Sequence, residues 1–105
     1  GISQMCLTSI FKAWEPNYTG FFNHIHMVQS FYRERGNTFC DLIDKHLGDL
    51  VSYNRPEAGM FVWMKLNGFK DTKPLIEEKA LKEKVLLVPG QSFHALDKPS
   101  SYVRA

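Results

Sequence analysis

The first part of the chain is patterned for helices. From Ile2 to Trp14 the apolar residues Met5, Leu7, Ile10, Phe11 and Trp14 recur at the three- and four-residue spacing of an amphipathic α-helix. Glu15-Pro16-Asn17 predicts its end, because the residue before a proline avoids the helical region. Thr19 suits the N-cap of a second helix. Phe21, Ile25, Val28, Tyr32, Phe39, Leu42 and His46 then follow a seam of alternating four- and three-residue steps, with Arg35 in the gap. The seam predicts a helix of about seven turns, ending near Gly48 in the position past the C-cap. Gly36 inside it costs ~1 kcal/mol relative to Ala and predicts a slight bend.

After Gly48 the rhythm changes. Leu50-Val51-Ser52-Tyr53 predicts a short strand, and Pro56 to Gly59 is turn chemistry. Met60 to Leu66 is almost continuously apolar and carries the β-formers Phe61, Val62 and Trp63, which predicts a strand covered on both faces. Asn67-Gly68 is a turn. Asp71 or Thr72 caps a third helix, with Pro74 in its first turn and Leu75, Ile76, Ala80 and Leu81 as its buried face. Glu77 and Glu78 precede Lys79, Lys82 and Lys84, the order that the helix dipole favours. Val85 to Val88 predicts a buried strand stopped by Pro89-Gly90, His94 to Ser101 a loop, and Tyr102-Val103-Arg104 a final strand. Strands cluster in the second half. The fold class expected is therefore α+β: long N-terminal helices, then a small, mainly antiparallel sheet with a helix packed on one side.

Composition narrows the functional classes. With 105 residues the chain is long enough for one domain. Its net charge is +2 with the basic residues scattered, which gives no electrostatic footprint for nucleic acid. No run approaches the ~18 apolar residues of a membrane span. Cys6 and Cys40 are too few and too far apart for a disulfide scaffold and read as reduced thiols of an intracellular protein. His24 and His26 point roughly 200° apart on a helix, so they cannot share one metal ion. Neither cysteine has a zinc-ligand spacing to them. No metal site is expected, and no phosphate-cradling glycine loop with its lysine is present.

The chemistry with the clearest pattern lies from Pro56 onward: P-E-A-G-M-F-V-W-M-K-L-N-G-F, then L-I-E-E-K-A and V-L-L-V-P-G-Q-S-F, then Y-V-R-A. In this order the segments resemble the C-terminal small domain of fold-type I pyridoxal-phosphate-dependent aminotransferases (class I/II), with the kynurenine/α-aminoadipate aminotransferases the most similar. The resemblance covers nearly the whole chain and is strongest from Glu57 to Ala105.

It implies that Arg104 grips the α-carboxylate of the substrate. A guanidinium is a planar fork whose donors match a carboxylate in two parallel bonds, which a lysine cannot reproduce. It also implies that Phe61 lines the substrate pocket, although its residue type suits plain sheet core equally. Gln91 and Ser92 are further candidate substrate contacts on the Pro89-Gly90 turn, with a purely structural turn as the other reading. Gly90 is expected to hold a backbone dihedral closed to other residues.

Three departures from the family pattern stand out. The Schiff-base lysine and the cofactor-binding residues have no counterpart here; in the family they lie upstream. Lys84 stands where similar enzymes have the glycine of a left-handed helix end, at a cost of ~1 kcal/mol or with a different turn. The family also continues past the R-A segment. The expectation is thus a fragment of a homodimeric, intracellular (cytoplasmic or mitochondrial) transaminase. It would move the amino group of an aromatic, kynurenine or 2-aminoadipate type amino acid to a 2-oxo acid with pyridoxal 5′-phosphate, which supplies the electron sink. Residues 1–17 would lead to a missing large domain, and 18–105 would form a truncated small domain. Without catalytic or cofactor residues, the chain alone is expected to be inactive. The competing expectation is a free-standing α+β ligand-binding or interaction module without catalysis.

Overall fold

Both helical seams form helices in the computed structural model, which describes residues 1–105. Helix α1 covers Ile2–Ala13 and α2 covers Thr19–His46. Thr19 is the first helical residue of α2 rather than its N-cap, since Phe22 N–H donates to the carbonyl of Tyr18, which has φ 55°. Helical structure continues through Gly36. The chain divides into two compact units, Gly1–Arg35 and Gly36–Ala105.

The first unit is held by rings at the α1–α2 junction. Phe11 meets Phe21 edge-on at 5.1 Å between centroids, and Trp14 lies 5.7 Å from Phe21 and stacks on His24. Gly20 is required here, because a Cβ would collide with the Trp14 indole. None of the α1 side chains is buried, and Ile2, Met5 and Leu7 are largely exposed.

The second unit contains the sheet. Strand β1 is Val51–Tyr53, β2 Trp63–Leu66, β3 Val88–Pro89 and β4 Tyr102–Arg104. Their spatial order is β1-β2-β4-β3, and every pairing is antiparallel. Leu50 belongs to the single 3-10 turn before β1, not to the strand. Strand β2 is shorter than the apolar run predicts and is covered on one face only. Met64 is buried while Trp63 and Lys65 are exposed, the period-two alternation of a half-covered antiparallel sheet.

The covered face carries Val62, Met64 and Val103, closed by Cys40 and Ile43 of α2 and by Ile76 of the third helix. The buried stripe of α2 thus lies one residue beyond the predicted seam; Phe39 and Leu42 stay exposed. The predicted order of helices and strands is otherwise met, and the fold is α+β with helices on one side of a small antiparallel sheet.

The third helix, α3, spans 73–82 and is a π-helix over Leu75–Ala80, so Leu81 N–H reaches back five residues to the Ile76 carbonyl. The wider turn leaves Ile76 buried and Leu81 exposed. At its start Asp71 Oδ1 accepts from Lys73 N–H, while the fully buried Thr72 donates its hydroxyl to the Tyr102 carbonyl at 2.8 Å. Asp71 therefore does the capping, and Thr72 ties the helix to β4. At its end the left-handed turn is kept and made with Lys84, at φ 60°. Val85 and Leu86 are exposed and lie outside the sheet, the Val85 N–H donating to the Ala80 carbonyl at the helix end; only Val88–Pro89 joins the sheet, which corrects the buried strand expected over 85–88.

A polar cluster fastens α2 to the strand β1 and the residues after it. Tyr53 donates its hydroxyl to Asp44 Oδ1 at 2.7 Å, and Arg55 bridges Asp41 and Asp44 at 2.6 and 2.7 Å. The Tyr53 hydroxyl and the Arg55 guanidinium hold Asp44 below the usual carboxylate range. Burial, and then its bond to Asp44, pushes Tyr53 upward.

Candidate functional site

Register decides what the open face of the sheet displays. Met64 pairs with Val103, and both point into the core. Trp63 and Arg104, paired in the next register position, therefore project to the other side, together with Tyr102. Arg104 sits on β4, an inner strand, between Trp63 of β2 and Val88 of β3.

Aromatic rings converge on the Arg104 guanidinium from the ends of both flanking strands. Phe61, just before β2, lies with its centroid 4.3 Å from Cζ. Phe93, at the end of the 3-10 turn Gly90–Phe93 that follows β3, lies at 4.8 Å. Both are cation–π distances. Phe93 is held edge-on by Trp63 at 5.3 Å and 88°, and Trp63 stacks on Tyr102 at 5.5 Å and 11°. No carboxylate pairs with Arg104, in contrast to Arg55, which pairs with Asp41 and Asp44.

The turn that carries Phe93 is set by packing. A Cβ on Gly90 would sit 2.5 Å from Ser100 Oγ and 2.7 Å from the Tyr102 carbonyl. Gly90 is thus needed for close approach to β4. Its φ lies outside the left-handed region, which corrects the special dihedral expected of it.

Of the residues singled out in the sequence, Arg104 and Phe61 are brought together. Phe61 is half-exposed and outside the buried cluster, so it is not sheet core. Gln91 Nε2 is engaged by the Asp97 carbonyl at 3.1 Å and Asp97 Oδ1 at 3.0 Å, a bond internal to its loop. Ser92 is exposed beside it. The member of that turn that reaches Arg104 is Phe93, which the sequence reading passed over in favour of its polar neighbours. No three His, Cys, Asp or Glu side chains converge as metal ligands, and both cysteines are free thiols, Cys6 exposed and Cys40 buried. No helix is long and apolar enough to cross a membrane.

No family model matches the chain, whereas solved structures and curated sequences do. Among solved structures, the α-aminoadipate aminotransferase of Thermus thermophilus, in complex with N-(5′-phosphopyridoxyl)-L-leucine, superimposes with a TM-score of 0.79 and 32% identity, over 96% of this chain and 24% of that one. The kynurenine aminotransferase of Pyrococcus horikoshii, in complex with PMP, gives a TM-score of 0.75 and 28% identity over 84% of this chain and 22% of that one. The match defines the class: an α+β small domain of the kind found in aminotransferases.

In sequence, the mitochondrial kynurenine/alpha-aminoadipate aminotransferase of Rattus norvegicus is 39% identical over 99% of this chain and 24% of its own length. The 2-aminoadipate transaminase of Thermus thermophilus is 37% identical over 72% of this chain and 19% of its own. In sequence and fold the chain is a small domain of the pyridoxal-phosphate-dependent aminotransferases, and it spans about a quarter of the length of the relatives it matches.

Proposed function

We propose that this domain serves a pyridoxal-phosphate-dependent transaminase by holding the substrate's α-carboxylate on Arg104. The amino donor would be of the aromatic, kynurenine or 2-aminoadipate type, and the acceptor a 2-oxo acid whose carboxylate takes the same place in the second half-reaction. The observation that carries the reading is the Arg104 guanidinium itself: on the open face of the sheet, between two rings, with no carboxylate of the chain bound to it. A guanidinium so placed is a ready fork for an external carboxylate, with aromatic walls that lower the competition from water. Fixing the carboxylate orients the Cα–H bond of the amino acid, which is the positioning that transamination needs.

Phe61 is assigned to the same pocket, against the substrate side chain. Gln91 and Ser92 are assigned as outer contacts at its mouth. The rings around Arg104 fit a carboxylate and not the cofactor, which requires an amine for its aldehyde and a cradle of donors for its phosphate. The Schiff-base lysine and phosphate pocket are therefore assigned to a large domain reached through residues 1–17. Residues 18–105 form the small domain of an intracellular homodimer, cytoplasmic or mitochondrial.

Two assays test this. In the transaminase that carries this domain, Arg104→Ala lowers kcat/KM for L-kynurenine with 2-oxoglutarate by about 10²-fold, the value of a lost charged hydrogen-bond pair; an unchanged kcat/KM overturns the assignment. The 105-residue chain supplied with pyridoxal phosphate and the same substrates gives no turnover above blank. Cofactor-dependent turnover by the chain alone would overturn the division of labour.

A further inference from the structure

We infer that Phe93, locked in place by Trp63, is a positioning residue that pre-orients the Arg104 guanidinium for an incoming carboxylate. The inference deepens the proposed function and rests on it for the identity of the ligand. Three observations carry it. The first is distance: the Phe93 ring lies 4.8 Å from Arg104 Cζ, and the Phe61 ring at 4.3 Å approaches from the other flanking strand. The two rings leave the planar fork fewer rotamers than a solvent-exposed arginine has, so less freedom is lost when a carboxylate binds.

The second is support. Phe93 does not stand alone but meets Trp63 edge-on at 5.3 Å, and Trp63 stacks on Tyr102 at 5.5 Å. Tyr102 and Arg104 lie two residues apart on one face of β4, so the ring series begins and ends on the same strand. The third is the backbone. Gly90 brings the turn against β4 so closely that no Cβ fits, and Gln91 closes the following loop onto Asp97. Each feature fixes where Phe93 stands, although about half of its own surface remains exposed and adds little to the core (48%). A ring held this firmly at the surface, against a cation with no anion partner, is explained by what it does to the cation.

The test separates aromatic character from bulk, using Phe93→Leu and Phe93→Tyr in the transaminase that carries this domain. With L-kynurenine and 2-oxoglutarate, Phe93→Leu raises KM by roughly three- to tenfold with kcat nearly unchanged, and Phe93→Tyr restores KM to the parent value. Equal losses in kcat and KM, or failure of Tyr to restore, overturn the inference. A second readout does not depend on turnover. In NMR spectra the Arg104 side-chain signals are ring-current shifted, and they move toward unstructured-arginine positions in Phe93→Leu but not in Phe93→Tyr. If the parent protein does not transaminate, the functional reading falls and this spectrum decides: lost shifts support the positioning role, and shifts unchanged in Phe93→Leu overturn it.

Discussion

The units Gly1–Arg35 and Gly36–Ala105 are built from similarly apolar sequence and use it in opposite ways. In the second, Val103, Met64, Ile76, Cys40 and Ile43 close a core between a sheet and helices. In the first, no residue is buried, and its order comes from ring contacts among Phe11, Trp14, Phe21 and His24. An amphipathic pattern therefore guarantees a helix and leaves open what, if anything, the helix covers.

The largest effect that sharpens the contrast is a pair of truncations. Met64→Ala removes a buried side chain and is expected to destabilise by ~3 kcal/mol. Ile10→Ala in α1, whose side chain is exposed, is expected to change stability by less than ~0.5 kcal/mol. Urea unfolding of both variants checks this, and equal losses would erase the distinction between the units. Next comes Gly90→Ala, which forces a Cβ against the Tyr102 carbonyl and is expected to cost ~2 kcal/mol by the same assay.

A smaller effect of opposite sign is expected at Lys84. Its φ of 60° is strained for a side chain, so Lys84→Gly is expected to stabilise by ~0.5–1 kcal/mol despite the added freedom of the unfolded chain. A lower urea midpoint for Lys84→Gly would refute the strain.

The smallest effect concerns acid. Asp44 is held below its ordinary value of 3.8 by Tyr53 and Arg55, so the folded state binds its proton less readily than the unfolded one. Its stabilisation is present above about pH 4 and is lost as pH falls through the lower folded value. Melting temperatures taken from about pH 5 to about pH 2 are expected to drop less steeply in Asp44→Asn than in the parent. Parallel slopes would show that the cluster contributes nothing.

Much of this was legible in the chain. The three- and four-residue spacing gave both long helices, and the Y-V-R-A segment with V-P-G-Q-S-F pointed to Arg104 and to the fold. Other features depend on packing that no local pattern encodes. The α2 seam through Phe39 and Leu42 follows the largest apolar residues, yet the sheet meets Cys40 and Ile43, one position along. Val85 to Val88 has the composition of a buried strand, but only its end lies beside β4. Phe93 was hidden because a surface turn draws attention to its polar members, whereas its partner is a cation eleven residues later that only the sheet brings near. The one available signal was an aromatic side chain in a turn otherwise made of Gly, Gln and Ser.

The measurement that bears most directly on Arg104 is discrimination between L-kynurenine and kynuramine, the same molecule without its α-carboxylate. On the proposed function, the protein that carries this domain is expected to show a large ratio of their kcat/KM values. Arg104→Lys is expected to lower it by about 10-fold or more, because the ammonium keeps the charge and loses the fork. A ratio unchanged in Arg104→Lys would contradict the carboxylate role proposed for Arg104.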